Sequence, residues 1–152
     1  MTRIIIGSDH AGLILKDELK LYLIEGGYNI IDKGCYTNES CDYPDIAESV
    51  CKEIHSDEEK GILICGTGIG MSIKANRFNH IRCALCFNEY MGELTRKHNN
   101  ANVIAFGSKI IDNKTACSVL DTFLKTEFEE GRHLRRINKL NYMTTKDIAD
   151  IL

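Results

Sequence analysis

One segment, Gly61–Gly70, constrains the fold of this chain more than any other. It contains Ile62–Cys65, an apolar run of the kind that forms a buried strand. Glycine then occupies every second position of Gly66–Gly70, and a helical pattern begins at Met71. A strand that passes through so short a loop into a helix is the building unit of α/β folds, and backbone N–H groups at such a helix start can hold an anion.

The glycine loop has two interpretations at this point. It can be a tight strand–helix turn and nothing more, because its GxGxG spacing differs from the GxGxxG fingerprint of dinucleotide-binding proteins. It can also be an anion site, in which case the helix dipole favours the thiolate of Cys65 at its edge. On the second interpretation, a candidate base and a cradle for negative charge lie in one short segment.

Short apolar runs and amphipathic segments alternate along the whole sequence. The amphipathic segments place apolar residues on one helical face, with Pro44 suited to the first turn of one helix and Asp112 to the N-cap of another. The alternation predicts a single Rossmann-like, doubly wound α/β domain over residues 1–152, with a five-stranded parallel sheet, helices on both faces and a C-terminal helical tail. The predicted strands are Ile4–Gly7, Tyr28–Asp32, Ile62–Cys65, Ile81–Phe87 and Asn102–Phe106.

The composition is that of an ordinary globular domain. With 152 residues and a net charge of −3, the chain is long enough for one full core and gives no reason to expect a nucleic-acid partner. No apolar run approaches the ~18 residues of a membrane span, so no membrane partner is expected either. The odd number of cysteines, seven, is typical of reduced thiols and of a cytoplasmic protein. Cys83 and Cys86 are expected to be core residues and not a zinc or redox pair.

Polar residues follow two of the predicted strands. Asp9 and His10 come directly after the first strand, and Cys65 and Thr67 close the third. Because ligands of open α/β sheets bind outside the carboxyl ends of the strands, we expect these four side chains on one binding edge. Taken singly, Asp9 could instead cap the first helix, and His10 could be an exposed turn residue.

The C-terminal tail, from about residue 131, begins with a basic segment. Arg132 and Arg136 are four residues apart, so on a helix their guanidinium groups share one face. Such a pair suits the oxygens of a phosphate, or else forms a solvated basic face. Thr144 begins a capping pattern with Asp147, which predicts a short final helix. This tail must fold back on its own domain or pack on a partner chain.

His98 is predicted at the opposite edge of the sheet from Cys65. It precedes the strand that begins at Asn102, and therefore lies near the amino end of that strand. A strand of about five residues spans roughly 17 Å, so one chain cannot easily bring both side chains to one small ligand. A two-fold symmetric partner would supply the missing histidine.

Taken together, these motifs resemble those of the type B ribose-5-phosphate isomerases, in the family that also holds the galactose-6-phosphate isomerase subunits. The resemblance is collinear and extends from near the first residue to the tail. The matching segments are Gly7–Gly12, Ile31–Gly34, Asp42–Pro44, Ile62–Gly70, Ala75–Arg77, His98–Asn99, Asn102–Ser108 and Gly131–His133.

The resemblance implies an aldose–ketose isomerase that interconverts ribose 5-phosphate and ribulose 5-phosphate through an enediolate, with no cofactor and no metal. In this family the residue matching Cys65 is the base, the one matching His98 assists opening of the sugar ring, and the glycine loop stabilises the enediolate. Some relatives carry a glutamate base directly after that loop, where this chain has Met71. The resemblance also implies a homodimer or a dimer of dimers with shared active sites, and we expect the tail to pack on the partner subunit.

The resemblance further implies a set of substrate-binding residues. A family arginine that follows Phe-Gly-Ser is Lys109 here, which keeps the positive charge and loses the bidentate geometry. Asp9 and Thr67 are assigned to catalysis as well as to binding. The implied binding residues are Asp9, His10, Tyr43, Gly66, Thr67, Gly68, Ile69, Gly70, Asn99, Lys109, Arg132 and Arg136.

Two alternatives stay open from the sequence. An isomerase of another sugar phosphate, such as allose 6-phosphate or galactose 6-phosphate, would carry similar motifs, although the paired arginines and the complete first loop favour a pentose phosphate. A non-catalytic module that holds a nucleotide or an anion on the glycine loop would bind its ligand saturably without turnover.

Overall fold

The computed structural model describes residues 2–140 and 145–151, and within them the chain forms five strands and seven α-helices. In that described part, no helix is long and apolar enough to cross a membrane. A 3₁₀ turn, His10–Gly12, precedes the first α-helix. The strands are β1 (Arg3–Ser8), β2 (Asn29–Asp32), β3 (Lys60–Cys65), β4 (Cys83–Leu85) and β5 (Val103–Gly107). The helices are α1 (Leu13–Glu25), α2 (Tyr43–Glu53), α3 (Ile69–Ala75), α4 (Glu89–Asn99), α5 (Asn113–Lys125), α6 (Arg132–Ile137) and α7 (Thr145–Ile151).

All five strands run parallel, in the order β2-β1-β3-β5-β4. This arrangement confirms the predicted five-stranded parallel sheet. Because each strand returns through a helix in the same sense, all the carboxyl ends lie at one edge. In the register of the sheet, Ser8 lies beside Ile64 and Cys65 lies beside Gly107. The ends of β1, β3 and β5 therefore meet at the edge where sheets of this kind bind ligands.

Helices cover both faces of the sheet, as predicted. Ile4 and Ile6 of β1 face one side, where they pack in a core with residues of α1 and α5. Ile5 faces the other side and packs in a second core with residues of α2 and α3. Strands buried on both faces need apolar residues at successive positions, which is why β1 and β3 are continuous apolar runs in the sequence.

The predicted element boundaries are correct in part. Pro44 lies in the first turn of α2, and Asp112 caps α5 by accepting a hydrogen bond from the Thr115 N–H at 2.8 Å. The strand predicted over Ile81–Phe87 is wrong at both ends, since β4 comprises only Cys83–Leu85. β4 lies at an edge of the sheet and pairs with β5 alone, so the apolar residues that flank it pack outside the ladder.

The first part of the C-terminal tail packs on its own chain. α6 contacts α4, and Ile137 of α6 is buried. The N–H of Glu129 donates to the carbonyl of Lys97 at 3.2 Å, which ties the segment before α6 to α4. The predicted final helix is α7, and its predicted cap, Thr144, lies outside the described residues. A contact between the tail and a partner subunit stays a prediction.

A buried lysine joins α1 to the end of β2. Lys16 is fully buried, and its ammonium donates to Oδ1 of Asp32 at 2.8 Å and to the carbonyl of Cys35. Lys20, one turn later, donates to Oδ2 of Asp32 at 2.6 Å. Burial alone would raise the pKa of Asp32, but the hydrogen bonds from Lys16 and Lys20 outweigh it and hold that pKa below its ordinary value of 3.8.

We expect Asp32→Ala to lower the free energy of unfolding by about 3 to 5 kcal/mol, because it leaves the buried Lys16 ammonium without its counter-charge. The loss is measured by urea denaturation. The folded pKa of Asp32 is depressed, so its stabilisation is complete above 3.8 and is lost as the pH falls through the folded value. The difference between the wild type and the variant should therefore shrink in acid.

Asp17→Ala is the matched control. The Asp17 carboxylate is exposed and lies 4.0 Å from the Lys20 ammonium, so its removal should cost less than about 1 kcal/mol. Equal losses for Asp17→Ala and Asp32→Ala would show that the buried pair contributes nothing specific.

Candidate active site

Cys65 ends β3 at the carboxyl edge of the sheet, with its thiol directed at the glycine loop. The residue is only 5% exposed, and its Sγ accepts a hydrogen bond from the N–H of Gly68 at 3.1 Å. A backbone N–H stabilises a thiolate more than a thiol, because hydrogen bonds to charged acceptors are stronger. Cys65 therefore lies where its anion is supported, which suits a base.

The glycine loop and the end of β5 approach each other so closely that both need glycine at the point of contact. Gly68 has a φ of +78°, and a Cβ on it would lie 2.8 Å from the carbonyl carbon of Phe106. A Cβ on Gly107, at the end of β5, would lie 2.6 Å from the carbonyl of Thr67. Since atoms cannot approach so closely, any larger residue at these two positions would push the loop away from β5.

The start of α3 presents backbone donors beside the loop. Ser72 donates to the carbonyl of Gly68 at 3.1 Å, which leaves the N–H groups of Gly70 and Met71 without an acceptor inside the helix. The N–H of Ile69 donates to Oγ1 of Thr67 at 3.3 Å. Donors fixed in this way suit an oxygen that becomes negative during a reaction.

Asp9 and His10 lie at the same edge, at the end of β1. Asp9 is 7% exposed, and its N–H donates to the carbonyl of Ile64, the residue before Cys65. Its Oδ1 accepts from the N–H of Gly12 at 3.1 Å, so Asp9 does cap the turn that precedes α1. Nδ1 of His10 accepts from the N–H of Cys41 at 3.3 Å, which assigns the proton of a neutral ring to Nε2.

Tyr43 and Lys109 complete this edge. The ring of Tyr43 lies against Gly70, where a Cβ would be 2.6 Å from ring atoms. The N–H of Lys109 donates to the carbonyl of Gly66 at 3.0 Å, and its ammonium lies 3.8 Å from the place of a Cβ on Gly66. We call the residues at this edge the cysteine group: Asp9, His10, Tyr43, Cys65, Gly66–Gly70 and Lys109.

The other predicted residues lie on α4 and α6. His98 and Asn99 are the last two residues of α4, and Arg132 and Arg136 are exposed residues of α6, which packs on α4. The two arginines lie together on one side of the buried face of α6, at the predicted helical spacing. We call these residues, together with His133, the histidine group: His98, Asn99, Arg132, His133 and Arg136.

The structure separates the two groups within one chain. Cys65 pairs with Gly107 at the carboxyl end of β5, whereas α4 ends four residues before Val103, at the amino end of the same strand. Five residues of strand place the two edges roughly 17 Å apart. A cleft of about 370 Å³ is lined by Asn99 and Leu140 among others and not by Cys65. Lys109 lies with the cysteine group, apart from Arg132 and Arg136, with which the resemblance implied it as a substrate-binding residue.

His133 is the residue that the sequence analysis did not assign to a site. Its ring stacks on that of His98, with centroids 4.3 Å apart and planes 11° from parallel. The signal available in the sequence was its place in Gly131–His133, between two arginine positions. A carboxylate oxygen of Glu129 and one nitrogen of each histidine lie within 4.8 Å of one another. Stacked rings direct their lone pairs along parallel planes and not to a common point, which does not suit a shared metal ion.

With this geometry in hand, comparison with known proteins identifies the family. Residues 4–140 match the family described as Ribose/Galactose Isomerase. The chain belongs to this family. It is 43% identical over 141 residues to ribose-5-phosphate isomerase B of Escherichia coli (strain K12), an alignment that covers 92% of this chain and 95% of that protein. It is 41% identical over 148 residues to a putative sugar phosphate isomerase of Bacillus subtilis (strain 168), with 96% and 99% covered.

Solved structures of the family share the fold described above. Ribose 5-phosphate isomerase B from Anaplasma phagocytophilum is 50% identical, with a TM-score of 0.89 over 93% of this chain and 97% of that one. Ribose-5-phosphate isomerase B from Mycoplasma genitalium, solved with bound ribulose 5-phosphate, is 40% identical, with a TM-score of 0.88 over 91% and 93%. These matches confirm the family resemblance and the α/β fold that the sequence indicated.

Proposed function

We propose that this chain is an isomerase that interconverts ribose 5-phosphate and ribulose 5-phosphate, with Cys65 as the base. The observation that carries the proposal is the buried thiol of Cys65, hydrogen-bonded to the N–H of Gly68 beside the donors that open α3. Support also comes from the family relative from Mycoplasma genitalium, whose structure holds ribulose 5-phosphate. A sugar phosphate that reacts at C1 and C2 needs a base and an anion-binding loop together, and both are present.

The chemistry requires one proton to move between two carbons. The thiolate of Cys65 removes the proton from C2 of the open-chain aldose, and the electron pair of that bond forms the enediolate, with the negative charge on O1. The backbone N–H groups of Gly70 and Met71 stabilise that charge. The thiol then returns the proton to C1 while the hydroxyl proton of O2 passes to O1, which yields the ketose. Asp9 and His10 bind the sugar hydroxyl groups at the same edge.

We expect Cys65→Ala to abolish at least about 99% of the turnover, because removal of a positioned base costs about 10²- to 10⁴-fold. The assay follows ribulose 5-phosphate formed from ribose 5-phosphate in the presence of EDTA. Substrate affinity, measured by calorimetry, should stay close to that of the wild type, since binding depends mainly on other residues.

Cys117→Ala is the control, because Cys117 is another free, half-buried thiol that lies on α5, away from the cysteine group. It should keep full activity. Activity of Cys65→Ala above a few per cent would contradict the role of this thiol as base. A wild type that acts on galactose 6-phosphate and not on ribose 5-phosphate would contradict the proposed substrate.

Arg132 and Arg136 bind the phosphate of the substrate in this proposal. Both arginines are exposed and lie one helical turn apart on α6. Planar guanidinium groups match phosphate oxygens in pairs, and Lys109 from the cysteine group of a second subunit would add a point charge. The phosphate site therefore combines residues from both groups.

We expect Arg136→Ala to raise the KM for ribose 5-phosphate by about 10- to 100-fold, because a charged hydrogen bond contributes roughly 1.5 to 3 kcal/mol. Residual action on free ribose should change little. Arg135→Ala is the matched control, because Arg135 lies on the same helix about 200° from His133 and faces away from α4. Equal weakening toward ribose and ribose 5-phosphate would mean that Arg136 supports the structure and not the phosphate.

A homodimer with shared active sites follows from the separation of the two groups. Each chain carries both groups at opposite edges of its sheet, so a two-fold axis can place the histidine group of one chain against the cysteine group of the other. Apolar side chains surround the cysteine group without cover in the single chain, among them Ile69 and Ile73 of α3, each about half exposed. Contact with a second copy would remove them from water.

We expect Cys65→Ala and His98→Asn, each with at most about a tenth of wild-type conversion alone, to complement each other after they are unfolded and refolded together. One site of a mixed dimer carries both changes and the other carries neither. Random pairing of equal amounts should restore about a quarter of wild-type activity. No recovery in a sample shown by mass spectrometry to contain mixed dimers would place both residues in one site of one chain, and a monomer by light scattering would contradict the dimer itself.

A further inference from the structure

His133 is buried beside His98, and the reaction proposed above assigns no role to it. His133 is 6% exposed and lies on the face of α6 that packs against α4. The two imidazole rings lie face to face, with centroids 4.3 Å apart and an angle of 11° between their planes. His98, by contrast, is half-buried at the end of α4, so one face of its ring is covered by His133.

The stack restricts how the His98 ring can turn. An imidazole swings about its Cβ–Cγ bond in a broad torsional well, so hydrogen bonds or packing must select one orientation. A flat ring against one face allows motion within the plane and opposes rotation out of it, because rotation would collide with His133. α6 itself is anchored by the buried Ile137, one turn after His133.

The charge of His133 suits this role. Burial is the main cause that lowers the pKa of His133, and the nearby charges of Arg132 and Arg136 add to it, while the carboxylate of Glu129 opposes them. His133 is therefore neutral near pH 7, and a neutral ring can stack on His98 whether or not His98 carries a proton. Nε2 of His133 lies 3.5 Å from Oε2 of Glu129 and, among the described residues, makes no hydrogen bond.

We propose that His133 is a positioning residue that holds the ring of His98 in the orientation needed to open the sugar ring of the substrate. The proposal rests on the proposed function and on the assignment of ring opening to His98. Ring opening is a step that only the cyclic form of the aldose, ribose 5-phosphate, requires. Ribulose 5-phosphate cannot form the corresponding five-membered ring, because its 5-oxygen carries the phosphate.

The test compares two reactions of the same enzyme, each at saturating substrate. The first is conversion of ribose 5-phosphate, which includes ring opening. The second is exchange of a C1 proton of ribulose 5-phosphate with D2O, followed by NMR, which requires the base and the enediolate but no ring opening. We expect His133→Ala to lower kcat for the first reaction by about 10- to 100-fold, the cost of a misplaced catalytic group, and the second by less than about threefold.

Four variants make the comparison specific. His98→Asn should show the same division between the two reactions, whereas Cys65→Ala should lose both. His133→Phe keeps a flat ring in the stack and should recover most of the conversion. Leu134→Ala, an exposed neighbour on α6, should leave both reactions unchanged. If His133→Ala does not fold, His133→Asn takes its place, because asparagine keeps a polar side chain and lacks the ring.

Two results would overturn the proposal. One is an equal loss of conversion and exchange together with a raised KM for both sugars, which is what displacement of α6 and its arginines would cause. The other is full conversion activity in His133→Ala. Failure of the proposed function gives a different pattern, in which Cys65→Ala retains the exchange reaction or the wild type converts no ribose 5-phosphate.

Discussion

The close contact between the glycine loop and the end of β5 is the constraint on which the candidate site depends. The carbonyl of Thr67 lies where a side chain on Gly107 would have to be, and Gly68 lies against the backbone of Phe106. Packing at this density leaves no room for even a methyl group. The contact turns the chain so that the N–H of Gly68 meets the sulfur of Cys65, and it starts α3 with its first donors at the edge of the sheet.

The parallel sheet then determines how the rest of the site must be completed. In such a sheet every strand ends at one edge, and every returning helix ends at the other. The cysteine group belongs to strand ends, whereas the histidine group belongs to the end of α4 and to α6. No local rearrangement of one chain can unite residues on opposite edges of a packed sheet. The symmetric dimer proposed above would solve this problem at both sites, because the histidine group of each chain can meet the cysteine group of the other.

A buried ion pair stabilises the loop that contacts the cysteine group. Lys16 is buried because Asp32 and the carbonyl of Cys35 satisfy its ammonium, and these contacts fix the segment that follows β2. The same segment reaches His10 through the N–H of Cys41. A buried lysine thus orders a loop that contacts His10, a histidine of the cysteine group. At the opposite edge of the sheet, His133 stacks on His98 and, in the proposal above, orients its ring.

The sequence by itself determined the sheet and placed Asp9, His10, Cys65 and Thr67 at one edge of it. Apolar runs long enough for strands alternated with amphipathic segments, so a parallel sheet covered by helices could be predicted. Asp9 and Cys65 directly followed such runs, which placed them at one edge. Both inferences depend on short-range patterns, which a chain carries residue by residue. The prediction that Ile81–Phe87 forms a strand was wrong because an apolar run cannot reveal that its segment lies at the sheet edge.

Only the tertiary structure decided which distant side chains meet. His98 and His133 are 35 positions apart, and neither residue carries a pattern that predicts their stack; it arises because α6 folds back on α4. The resemblance implied Lys109 as a binding residue together with the arginines, and the structure places it beside Gly66 because β5 ends next to the glycine loop. The burial of Lys16 was likewise invisible, since its counter-charge lies on another element. Periodicity reports which face of an element is apolar, whereas the approach of two elements depends on the packing of the whole domain.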